Sequence, residues 1–173
     1  MKLAEEKKVI LLCSDFDYNE SADGPMKGIN MSGYHMATFL FSIGSLATAD
    51  ITLRMYSGTA DLAETSAIAF RYAYGASTSI FAAAGTTPAS GADVLAAEGT
   101  VVGATGLVIP YATASAKAAF ALVVEVDASD MDVANGENWL TPHITCGSAT
   151  GLGTMWVVLE PRYTSNRSAT ALA

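Results

Sequence analysis

Apolar residues in this chain recur with a period of two and almost nowhere with a period of 3.6, and that spacing limits it to strands. Ile51, Leu53 and Met55 alternate with Thr52, Arg54 and Tyr56. Ile68, Phe70, Tyr72 and Tyr74 alternate with Ala67, Ala69, Arg71 and Ala73. Phe120, Leu122, Val124 and Val126 face one way, and Ala121, Val123, Glu125 and Asp127 the other. Met155, Val157 and Leu159 alternate with Thr154, Trp156 and Glu160. Each run has the pattern of a strand with one buried face. The run from Tyr34 to Ile43 differs, because Phe39, Phe41 and Ile43 share one face while Met36 and Leu40 occupy the other. A strand apolar on both sides is covered twice or meets a partner.

Clusters of Gly, Ser, Thr, Asn and Pro separate these runs, as at Asp23-Gly24-Pro25, Ser57-Gly58, Gly103 to Gly106, Asn135-Gly136 and Gly147 to Gly153. Strands of five to ten residues at this spacing predict an all-β, jelly-roll-like sandwich of about eight strands. Residues 1–163 are expected to form one domain and 164–173 a C-terminal arm. Short helical turns are expected at 58–66 and 92–98, neither long enough to stand alone. The Ala- and Gly-rich loop 77–93 and the arm from Tyr163 have little to bury. They are expected to carry contacts between subunits or with a larger assembly.

Charge and composition narrow the function. Nine Lys and Arg against seventeen Asp and Glu give a net charge of −8, which repels phosphate and excludes a nucleic acid partner. Hydrophobic residues make up 51% and charged residues only 15%, so disorder is excluded. No apolar run approaches the roughly 20 residues of a membrane-spanning helix. The start, with Glu5 and Glu6 before a four-residue apolar run, does not resemble a secretory signal, so a cytoplasm-like compartment is expected. Cys13 and Cys146 have no metal-ligand spacing and are expected as small buried hydrophobes, not a disulfide.

Catalytic motifs are sparse. There are two histidines, His35 and His143, and no Gly-x-Ser-x-Gly elbow. Cys146 lies three residues from His143, which on a strand puts the pair on opposite faces. The glycine-rich turns lack the lysine and following helix of a phosphate loop. The chain is therefore expected not to be an enzyme and to use no cofactor. Two acidic segments leave a cation site open as one possibility. Asp15 and Asp17 have the spacing that opens a calcium loop, but Glu20 stands where that loop needs Gly and Met26 where it needs Glu. Asp127 and Asp130 would complete a site if the fold brought the segments together. The other reading is solvated strand ends.

So few charges leave a domain of this size short of polar groups to cover its surface, and an extensive protein contact would resolve the shortage. Candidate interface residues are Tyr34, Met36 and Leu40 on the two-sided strand, with Arg162 and Arg167 at the arm.

One family shares several of these features. Met31-Ser32-Gly33-Tyr34 runs into Phe39-Leu40-Phe41-Ser42-Ile43-Gly44, and Ile51-Thr52-Leu53-Arg54-Met55-Tyr56-Ser57 follows. Later come Val123 to Met131, containing Glu125-Val126-Asp127-Ala128, and the ending Leu159-Glu160-Pro161-Arg162-Tyr163. This pattern, over about residues 30–163, resembles the small β-sandwich head decoration, or cement, proteins of tailed bacteriophages. The resemblance implies a structural virion protein on the capsid exterior, assembled in the host cytoplasm. It would bind the major capsid protein, often as a homotrimer, and bridge capsomers. A tail or baseplate component lies in the same class. A carbohydrate-binding sandwich module, with Trp139 or Trp156 as the platform, is the alternative from another class.

Overall fold

The alternating runs form strands, and the strands sort into two antiparallel sheets. The computed structural model describes residues 6–17, 24–44, 50–74, 99–101, 103–109, 119–145, 152–163 and 171–172. The strands are β1 (Lys8–Asp17), β2 (Gly24–Pro25), β3 (Ile29–Asn30), β4 (Tyr34–Gly44), β5 (Ile51–Gly58) and β6 (Ser66–Ile68). They continue as β7 (Phe70–Tyr74), β8 (Gly99–Val101), β9 (Leu107–Ile109), β10 (Ala119–Asp127), β11 (Trp139–Thr145) and β12 (Leu152–Pro161). Two 3-10 turns, Ala128–Asp130 and Val133–Asn135, lead from β10 to β11. Among the described residues, no helix is long and apolar enough to cross a membrane.

Sheet A has the order β1-β12-β4-β10-β7-β8, and sheet B runs β2-β11-β5-β6 with β3 beside β11 and β9 beside β5. The pairings nest. The first strand pairs with the last, β2 and β3 with β11, β4 with β10, and β5 with β6. A long antiparallel ribbon folded at β5–β6 and rolled up makes these partners, and rolling adds β12 to β4 and β11 to β5. This is the jelly roll. The eight positions of the roll are filled by β1, β2 with β3, β4, β5, β6, β10, β11 and β12. Strands β7, β8 and β9 are additions, because the chain crosses between sheets at Ala69. Ile68 pairs with Met55 in sheet B, and Phe70 pairs with Val101 in sheet A.

The alternation sets the core. In sheet A the rows Ile10–Val157–Phe39–Val124 and Cys13–Met155–Phe41–Leu122 face inward. From sheet B, Leu53, Met55, Leu140 and Ile144 join the same buried cluster. A side chain as fully buried as Phe39 contributes about 1.5–3 kcal/mol by leaving water. Cys13 packs against this core, and burial raises its thiol pKa above the usual value, which makes it a poor nucleophile.

Three expectations are corrected. No helix forms at 58–66. Residues 59–65 make the β5–β6 loop, and Leu62 is left-handed with φ 64°. Side-chain ties outside the loop override weak helix propensity there, since Asp61 accepts from Lys27 Nζ and from the Gly28 N–H, both at 2.8 Å. Partial burial raises the Asp61 carboxyl pKa, but these donors outweigh it and hold the group below its usual value. Of the expected C-terminal arm only residues 171–172 are described, and these dock on the chain's own domain. Ala171 is buried, its carbonyl accepts from the Asn30 N–H at 2.8 Å, and Leu172 packs on the core. Tyr34, a candidate interface residue, is also buried in the chain's own core. A bulge causes this, because Glu160 pairs with Met36 but Pro161 pairs with Tyr34, so His35 is the extra residue and the alternation slips by one. The expected helix 92–98 and the loop 77–93 lie outside the described residues.

Close approach at one glycine gives a first prediction. A Cβ on Gly103 would stand 2.5 Å from both the N and O of Ile68, at the sheet crossing. Backbone cannot rotate away as a side chain can, so Gly103→Ala should destabilise the fold by about 2 kcal/mol. Urea unfolding checks this, and a loss under about 0.5 kcal/mol would contradict the packing.

Candidate interaction surface

The two sheets present unlike outer faces. On sheet B the outward residues are largely polar: Thr52, Arg54 and Tyr56 from β5, and His143 and Thr145 from β11. They engage one another and the adjoining loop. His143 Nδ1 lies 2.5 Å from Glu64 Oε1, Tyr56 meets the His143 ring edge-on, and Arg54 Nη1 donates to Thr145 Oγ1 at 3.1 Å.

At the centre of sheet A one outward row is apolar, with Thr154 and Ser42 on one side of it and Thr38 and Glu125 on the other. Register puts Leu11, Trp156, Leu40 and Val123 in one row across β1, β12, β4 and β10. Leu11 is 44% exposed, Trp156 42% and Leu40 40%, and Val9, one level away on β1, is 43% exposed. Exposed large hydrophobics elsewhere among the described residues, Leu62, Val108, Val133 and Tyr163, lie on other segments, and no cross-strand pairing joins them into a row. Contiguity separates a surface that binds from isolated exposed residues. The row also bears on Trp156 as a sugar platform. Sugar recognition needs polar groups beside the ring, and the cross-strand neighbours here are two leucines. Trp139, the other candidate platform, is half-buried and pairs with Asn30 and Gly58.

One end of this face is a charged ledge. Glu160, Met36 and Asp127 stand level on β12, β4 and β10. Glu160 pairs with Lys7 and lies 3.6 Å from His35 Nε2. Asp127 caps the first 3-10 turn by accepting from the Ser129 N–H at 2.8 Å. Arg162 donates from Nε to the Tyr34 carbonyl at 2.9 Å. That expected intersubunit arginine is thus engaged within its own chain, and Arg167 lies outside the described residues. Met36, Arg71, Glu125, Asp127, Ser129 and Asp130 line a shallow hollow of about 280 Å³ on the ledge.

The two acidic segments do not converge. Asp17 pairs with Leu152, and its neighbour Phe16 is level with Gly153, Ile43 and Phe120. Asp127 lies seven residues further along β10, which is about 23 Å of strand. Asp15 and Asp17 therefore mark one end of sheet A, and Asp127 and Asp130 the other. Pairing, not the spacing of acidic residues, decides this, so the joint cation site is set aside. Among the described residues, no group of three His, Cys, Asp or Glu is placed to hold a metal.

The ledge carboxyls carry a pH dependence. Asp127 is held below its usual pKa first by the Ser129 N–H, and Glu160 first by its hydrogen bond from Lys7. A carboxyl depressed in the folded state adds stability above its unfolded pKa, near 4, and loses it as pH falls through the folded value. Melting temperature should therefore be flat from about pH 7 to 5 and fall below about pH 4. Asp127→Asn should make that fall shallower, and an identical acid profile in the variant would refute the assignment.

No family model matches the chain, and no curated protein matches it. Among solved structures, the chain is similar to one from infectious bursal disease virus, Gx strain, at 12% identity and TM-score 0.23. A second, from the T13 IBDV viral particle, is 10% identical with TM-score 0.21. The matches cover 90% and 96% of this chain but 40% and 42% of those chains, so this chain spans well under half their length. A likeness that slight says nothing about the role of this chain.

Proposed function

We propose that this chain is a structural virion protein, a head decoration protein that binds the outer capsid surface and stabilises the head. The observation that carries the reading is the contiguous apolar row Leu11–Trp156–Leu40–Val123 on the outside of a jelly roll. Such a row exposes apolar area to water at about 25 cal/mol per Å², a penalty that association relieves. The net charge of −8 suits an exterior position facing away from packaged nucleic acid. The fold itself hosts capsid proteins, lectins and cupins alike, so the surface and not the topology supports the role. On this reading the partners are a major capsid protein and further copies of the chain. A closed threefold ring needs two different patches on each subunit, and the described residues present one apolar row.

The test is reconstitution. Purified protein is added to capsids assembled without it, and occupancy and capsid melting are measured. Saturable binding with a raised capsid melting temperature is the expected result. Absence of binding, or retention on immobilised glycans with release by free sugar, would overturn the reading.

A further inference from the structure

We propose that the β5–β6 loop, residues 59–65, is a strap latched across the outer face of sheet B and built to open as a unit. Two charged contacts hold it at separate points. Asp61 accepts from Lys27 Nζ and the Gly28 N–H, just before β3, and also from the Leu62 N–H. Glu64 meets His143 on β11. Beneath the strap lies Thr141, which shares the outward phase of His143 and Thr145 on β11 yet is fully buried. A Cβ on Gly28 would stand 2.7 Å from Asp61 Oδ1, 3.2 Å from Thr141 Oγ1 and 3.4 Å from Leu62 N. The turn and the Thr141 hydroxyl therefore crowd one point, and the strap is what covers the threonine.

Closure is unfavourable in two places. The Ala63 N–H donates to the Ala60 carbonyl at 3.2 Å, closing a turn with Asp61 and Leu62 at its centre. Leu62 has φ 64°, which the third position of such a turn normally gives to glycine or asparagine. A leucine there carries backbone strain, and at 47% exposed it gains little burial in return. The second place is Thr141 Oγ1, buried with no hydrogen-bond partner among the described residues. A hydroxyl cut off from both water and a partner is costly. Opening relieves both at once, because Leu62 leaves the left-handed region and water reaches Thr141.

The charged latches offset these costs, so the closed strap is held by a small difference. No residue from 59 to 65 is buried, so opening leaves the core intact, as a local opening requires. What it uncovers is a polar strip of Thr141, His143 and Tyr56, the last edge-on to the His143 ring. The strip lies on the sheet opposite the apolar row, so this device goes beyond the decoration role and does not depend on it.

Diethyl pyrocarbonate, which acylates accessible imidazole, reads the opening in the full-length chain at neutral pH by peptide mass. His35, with its side chain 50% exposed, is the internal standard, and its rate should be the same throughout. His143, at 17%, should react more slowly in the wild type. Asp61→Ala breaks the latch that does not touch His143, and should raise the His143 rate about tenfold, because hydrogen bonds to a charged group are lost. Leu62→Asn suits the left-handed region and should lower the rate about threefold. Thr141→Val removes the hydroxyl at nearly constant shape and should lower it about fivefold. These two variants favour the closed strap, so they test the proposal even where Asp61→Ala folds poorly. His143 reacting as fast as His35 in the wild type would overturn the proposal. So would an unchanged His143 rate in folded Asp61→Ala, or failure of either Leu62→Asn or Thr141→Val to slow it.

Discussion

Glu137→Ala is expected to destabilise the protein by about 3 kcal/mol, from hydroxyls left without a partner and the cavity left behind. Glu137 is 4% exposed, and Ser57, which donates to its Oε2 at 2.5 Å, is fully buried. Ser66 donates to Oε1 at 3.1 Å. The carboxylate thus ties β5, β6 and the approach to β11 together from inside. Truncation strands the Ser57 hydroxyl in the interior, where the loss of its acceptor is costly. Glu137→Gln keeps the volume and one accepting oxygen, so its loss should be near 1 kcal/mol. Removing both sides of the contact should recover much of the deficit, so Glu137→Leu with Ser57→Ala and Ser66→Ala should be more stable than Glu137→Leu alone. Urea unfolding of the series measures this. A Glu137→Ala protein within about 0.5 kcal/mol of wild type would show the contact to be energetically idle.

Deleting residues 171–173 is expected to cost about 2–3 kcal/mol, combining one lost backbone hydrogen bond with lost apolar burial. Ala171 is 1% exposed, its carbonyl is the acceptor for the Asn30 N–H, and Leu172 covers part of the core. A terminal arm reaching another subunit would give a different result, with the fold intact and only assembly weakened. Chemical denaturation at low concentration, where monomer prevails, separates the two. Unchanged unfolding in the deletion would return the segment to the role of an external arm.

The residues explain why some of this was legible in advance. Strand faces follow from side-chain alternation, which is local, so the inward rows through Phe39, Leu122 and Val157 are written in the sequence. Leu40 outward and Phe39 inward follows from the same count. Counting fails where the backbone gains a residue. The bulge at His35 moves Tyr34 from the outer face to the core, and nothing in Gly33-Tyr34-His35-Met36 marks it. Ile68 and Phe70 share one apolar phase, yet they belong to different sheets, because alternation records a face and not the sheet that bears it.

Pairing decided the rest, since pairing joins residues far apart in sequence. The acidic segments look compatible along the chain, but β1 and β10 place them at opposite ends of sheet A. Glu137 looks like a surface residue beside Asn135-Gly136, and only Ser57 and Ser66, 80 and 71 positions away, make its burial tolerable. Trp156 reads as one outward residue among polar neighbours, and becomes part of a contiguous apolar row when register sets it between Leu11 and Leu40. By itself the sequence determined the fold class and the inward face of each long strand, because both depend on residues two apart. Tertiary structure decided the apolar row, the separated carboxylates and the docked C-terminus, because each depends on which strands hydrogen-bond and in what register.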